Sequence, residues 1–152
     1  PTTKLLLWTS DKRKSEVEIR QIARKIFEDF GIKLLTKEEE IANLPEAKRT
    51  IVDAVGKIRE VTRKNENLQQ YNRKYGFCRN YLGACVYAIG AIVIALISNV
   101  ILGMPYTKIL LISLIIQVLL GIIDYVSYKY KGYDYARAMY NAYMTGAEYN
   151  RE

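Results

Sequence analysis

The chain has 152 residues, half of them apolar, a formal charge of +7 and no histidine. One domain's length, no CxxC, no glycine-rich phosphate loop and no serine beside a candidate base leave zinc, redox, nucleotide and triad chemistry without their usual signatures. The expectation is a protein that is not an enzyme and takes no cofactor and no metal.

The basic excess is interleaved with acids over the first sixty positions and becomes one-sided only beside the apolar runs. That placement fits a membrane surface better than a nucleic acid, so no nucleic-acid partner is expected. Cys78 and Cys85 stand seven apart; on a continuous helix that is about 10 Å of rise, too far for a disulfide.

Residues 1–42 read as an N-terminal cytoplasmic cap. Leu5-Leu-Leu-Trp8 is too short an apolar run for a signal peptide. Ser15-Glu-Val-Glu18 and Thr36-Lys-Glu-Glu39 have the Ser/Thr-x-x-Glu form in which cap and third residue satisfy each other's backbone donors, so each opens a helix. The first should run to Phe30 and stop at Gly31, with Ile19, Ile22, Ala23, Ile26, Phe27 and Phe30 on one stripe. Lys4 to Trp8 and Ile32 to Leu35 could add short strands, a possible βαβ element, although two strands alone make a marginal sheet.

Residues 43–79 read as a juxtamembrane amphipathic helix opened by Asn43-Leu-Pro45, with proline in the first turn where its missing donor costs little. Ala47, Ile51, Ala54, Ile58, Val61, Asn65, Leu68, Asn72 and Tyr75 alternate steps of four and three. This is a heptad seam with Asn65 and Asn72 at a positions, either a coiled-coil surface for self-association or the inner face of a helix lying on the cap.

Residues 80–128 read as a transmembrane helical hairpin. Spans are expected at 81–102, where twenty-two residues carry no charged group, and at 106–128, where the charge-free core is Ile109 to Ile123. Gly103 and Pro105 stop the first helix and leave room only for a tight turn. Tyr81, Tyr106, Tyr125 and Tyr128 fall at the ends, where amphipathic rings sit among headgroups. Lysines and arginines crowd the outer flanks against Lys108 alone in the turn, so both termini are expected on the cytoplasmic or topologically equivalent side.

Two stripes mark the spans as candidates for helix packing or for lining a pore. Ala84, Ala88, Ala91, Ala95 and Ser98 are small residues that let helix backbones approach in lipid, and Ser113, Gln117, Gly121 and Asp124 form a polar face on the second span. Residues 129–152 read as a tyrosine-rich C-terminal amphipathic tail, its rings continuing from Tyr125 to Tyr143 as an aromatic collar.

The fold class expected is therefore an all-α membrane protein. Its function is expected to be non-enzymatic: a structural or scaffolding subunit that lies in a lipid bilayer and assembles as a homo-oligomer or with other membrane-complex subunits. The alternatives are a two-span pore-forming or membrane-disrupting effector, of the immune-effector or holin type, and a hydrophobic-hairpin virus coat subunit.

Overall fold

The computed structural model describes residues 2–9 and 15–146. After a 3-10 turn at Thr3–Leu5 come α1 (Glu16–Phe30), α2 (Lys37–Ala42), α3 (Leu44–Thr62), α4 (Glu66–Ile101) and α5 (Thr107–Gly146). The described residues contain no strand. They form two compact units, one of Pro1–Asn72 with Gly132–Glu152 and one of Arg73–Lys131.

In the first unit the helix starts follow their caps. Ser15 Oγ accepts from Glu18 N while the Glu18 carboxylate accepts from Ser15 N, and Thr36 and Glu39 repeat the arrangement at α2. The two hydrogen bonds from Thr36 hold the Glu39 carboxyl below the usual glutamate range. Gly31 ends α1 in the left-handed conformation, φ 68°, where its hydrogen side chain removes the steric cost. On the α1 stripe Ile19, Ile22 and Ile26 are buried, whereas Phe27 lies on the exposed side.

No βαβ element forms. Leu5, Leu6 and Leu7 are buried, and their segment curls through the 3-10 turn rather than extending; Ile32–Leu35 is irregular. The physical reason is that a lone strand has nothing to pair with, and here side chains satisfy the backbone instead. The Glu40 carboxylate, 1% exposed, accepts from Trp8 N (3.0 Å), Thr9 N (3.0 Å) and Thr9 Oγ1 (2.6 Å). Trp8 Nε1 donates to Leu35 O at 3.0 Å, and Tyr140 Oη donates to Thr2 O at 2.7 Å.

The expected helix over 43–79 is broken. α3 ends at Thr62 and α4 begins at Glu66, because Asn65 caps the new helix, its Oδ1 accepting from Leu68 N at 3.0 Å. Asn65 is thus an exposed capping residue and not a buried a-position amide. Ala47, Ile51, Ala54 and Ile58 are buried in the core of this unit, and Val61, next in the heptad, is 58% exposed. Past the break Leu68 is buried and Asn72 exposed, so the nine positions make no continuous seam.

The end of α5 completes this core. Ala136, Met139, Tyr140 and Tyr143 join Leu5–Leu7, α1, α3 and Leu68 in one cluster, with Tyr133 and Tyr135 partly buried against it. The aromatic collar therefore divides: its later tyrosines are core residues, while Tyr125 and Tyr130 are exposed. The last six residues of the expected tail lie outside the described residues.

In the second unit α4 and α5 pack as an antiparallel hairpin. Its tip is a Schellman turn: Met104 N donates to Asn99 O at 3.0 Å, Gly103 N to Val100 O at 3.3 Å, and Gly103 takes φ 63°. Both helices are long and apolar enough to cross a membrane, and only 11% and 6% of their apolar windows is buried within the chain. Helices of a soluble core would be covered by their own protein. Here Ile94, Ile97, Ile101, Ile112, Ile116 and Ile123, among others, point outward.

Candidate functional site: the polar seam of the hairpin

The seam between the helices can be read from its fixed points. Asn99 Nδ2 donates to Thr107 Oγ1 at 2.7 Å and Asn99 Oδ1 accepts from Tyr106 N at 3.3 Å, locking the tip. Further down, a Cβ placed on Gly121 would lie 3.9 Å from Cys85 Cβ. Near the base the Tyr75 and Tyr128 rings stack at 5.2 Å and their hydroxyls share a hydrogen bond of 3.0 Å.

Asn99 to Cys85 and Thr107 to Gly121 are equal steps along the two helices, so one register runs through this part of the seam. On α4 it is lined by Cys78, Leu82, Cys85, Ile89, Ile92, Leu96 and Asn99, all buried or half-buried and alternating by four and three. Such spacing keeps one stripe on a neighbouring helix.

That geometry sorts the candidate residues. Ser113, Gln117 and Gly121 are half-buried and Asp124 is buried, so the polar face of α5 looks into the seam. The same register sets Gln117 opposite Ile89, and Asp124 lies between the Cys85–Gly121 approach and the Tyr75–Tyr128 pair. Ala88 and Ala95 are half-buried at its edge, whereas Ala84, Ala91 and Ser98 are exposed. The small-residue stripe thus does not form the contact with α5. A larger stripe does, with Cys85 and Gly121 providing the close approach.

Asp124 is the anomaly of the seam. It is 9% exposed, and its Oδ2 is buried with no hydrogen-bond partner among the described residues. Buried polar atoms are nearly always paired, and an unpaired one costs about 1–3 kcal/mol, so this carboxyl is held where a single hairpin gives it nothing to bond. Gln117, two turns towards the tip, likewise has no hydrogen bond from its amide among the described residues.

Of the end tyrosines, Tyr81 stacks on Phe77 at 6.2 Å and remains 41% exposed, Tyr106 is exposed, and Tyr125 is exposed beneath Lys129 Nζ, 4.6 Å from its ring centre. Tyr128 is instead a seam residue.

Three residues that position these parts carry little advance signal. Asn99 is the one amide inside the charge-free run of 81–102, which could have marked it as the residue tying the tip. Glu40 looks like any surface glutamate of a short helix. Cys85 stands out only once Gly121 is placed across from it. No protein-family model, curated protein or solved structure matches the chain.

Proposed function

We propose that the protein is a non-enzymatic membrane subunit, anchored by the hairpin of α4 and α5 and presenting its helical cap as a scaffold to copies of itself or to other subunits. The observation that carries this reading is the outward apolar surface of both long helices, left uncovered by the rest of the chain. Lipid is the solvent in which that surface costs nothing, and the backbone of a helix is satisfied there internally.

The cap adds a topological constraint. Its core joins residues that precede the first apolar run, Leu5 to Ile58, with residues that follow the second, Ala136 to Tyr143. Crossing twice returns the chain to the side it left, so both flanks meet on one face of the bilayer. The lysines and arginines of those flanks support a cytoplasmic location for that face.

A second reading, a pore-forming effector, is favoured by Asp124, whose buried Oδ2 lacks a partner, together with Gln117 on the same face. Intramembrane carboxylates commonly mark paths for ions or protons. In that arrangement several hairpins open their seams towards a shared axis.

Reconstitution separates the two. Purified protein in dye-loaded vesicles should leave them intact and should run as a stable oligomer or bound subunit by mass in mild detergent. Dye release that disappears with Gln117→Leu would instead establish the pore. A monomer that stays dissolved in buffer without detergent would remove both readings.

A further inference from the structure

Where α3 ends and α4 begins, the first unit has a recess of about 250 Å³. Leu68, buried, and Tyr135, half-buried, give it an apolar interior; Arg59, Arg63, Gln69, Asn72 and Glu60 are exposed at its mouth. Arg59 lies in the last turn of α3 and Arg63, its C-cap, keeps helical backbone angles four residues on, so the two face the same way. Arg59 is held in place by donating from Nη2 to Thr2 Oγ1 at 3.3 Å. The Glu60 carboxylate has its own cation, Lys57 Nζ at 3.8 Å. The Arg63 guanidinium and the Asn72 amide make no interaction among the described residues.

We propose that this recess binds a phosphomonoester carried on a small polyol, with the two guanidinium groups and the Asn72 amide around the phosphate and Leu68 and Tyr135 against the carbon skeleton. Guanidinium forks match phosphate oxygens in pairs, and bonds to charged groups are the stronger class. The recess is too small for a nucleic-acid backbone. A neutral polyol alone would leave two arginines side by side with no counter-charge.

Two sources share this chemistry. One is a free sugar or glycerol phosphate. The other is a lipid headgroup that itself carries a phosphomonoester. Nothing in the proposal depends on the membrane reading, since the free-ligand arm applies to a soluble chain as well.

The test is equilibrium binding to the full chain in mild detergent, with three probes: glycerol 3-phosphate, dioctanoyl phosphatidylinositol 4-phosphate and dioctanoyl phosphatidylcholine. The phosphomonoesters should bind and phosphatidylcholine should not. Arg63→Gln touches no described contact of the fold and should weaken binding about tenfold or more, the loss of one charge-assisted bond. Arg79→Gln, in the second unit, should leave it unchanged. Binding of glycerol 3-phosphate as tight as that of the lipid identifies a free ligand; binding of the lipid alone identifies a headgroup. If neither phosphomonoester binds, if Arg63→Gln binds as the parent does, or if Arg79→Gln weakens binding equally, the recess is not a phosphate site.

Discussion

Glu40 ties the N-terminal segment to the rest of the first unit, and changing it to glutamine tests that role with almost no change in shape. Oε1 accepts from Thr9 N and Thr9 Oγ1, and Oε2 accepts from Trp8 N. Glutamine keeps one oxygen and places an NH2 against donors on the other side, so at least one bond becomes a donor facing a donor. The remaining bonds lose the charge that strengthens them. With about 1.5–3 kcal/mol for a hydrogen bond to a charged group, the expected loss is about 2–4 kcal/mol in total. For a unit of this size that lowers the melting temperature by about 10 °C or more.

Trp8 is the only tryptophan in the chain and its backbone is one of the donors, so its fluorescence reports this unit directly. The assay is thermal unfolding of the full chain in detergent followed at that emission, with Glu38→Gln as the exposed control. Double-mutant analysis with Thr9→Val should return a coupling energy of at least about 0.5 kcal/mol, the range seen for residues that share a hydrogen bond. A Glu40→Gln protein that melts with the parent would show that the segment is held by Leu5–Leu7 alone and that the carboxylate is incidental.

The other predictions address the hairpin and the tail. Gly121→Cys in a Cys78→Ser background should form an intrachain disulfide with Cys85 on mild oxidation, since the Cβ separation of 3.9 Å lies within the range that disulfides need; a disulfide-linked dimer with no intrachain product would refute the register. Burial pushes the hydroxyls of Tyr140 and Tyr143 well above the usual tyrosine range, aided at Tyr143 by the Asp29 carboxylate that accepts its hydrogen bond at 2.9 Å. The folded state therefore keeps these protons after the unfolded chain has released them, so stability is full below about pH 10 and falls as the pH rises beyond it. Tyr143→Phe should cost about 1–2 kcal/mol at neutral pH and flatten that alkaline decline, as read from melting temperatures between pH 8 and 11. Asp124→Leu should stabilise an isolated hairpin by about 1–3 kcal/mol, measured as slower alkylation of the buried Cys85 thiol; faster alkylation would mean that the carboxyl has a partner in the assembled state.

Local rules carried much of the first unit. The helix starts at Ser15, Thr36 and Asn43 and the stop at Gly31 are set by side chains within four residues of the ends they control, so they are legible without tertiary knowledge. The break at 63–65 was not. The heptad pattern runs through it because Asn65 fits an a position and an N-cap equally well, and only the competing burial of Ile51 and Ile58 in the cap decides between them. Lys4 to Trp8 is ambiguous for a related reason: an apolar run of that length has no period of its own, and the glutamate that takes the backbone N–H groups of Trp8 and Thr9 at its end lies thirty-one residues away from Thr9.

The spans show a further limit. On an amphipathic helix polarity marks the side that meets water, but α4 is apolar on every side from Tyr81 onward, so hydropathy gives its length and not its orientation. Small size is then the remaining sign of a contact face, and it points to the alanine stripe, three of whose five residues are exposed. Within the second span the polar residues are few enough to act as markers, and Ser113, Gln117 and Asp124 all face the seam. A polar side chain in an apolar helix is drawn to whatever protein surface can shield it from lipid, whereas alanine gains little from either environment. The unpaired oxygen of Asp124 follows from the same preference: the seam shields it, but no described residue donates to it. A partner able to donate there would therefore bind most strongly where the hairpin alone is least satisfied.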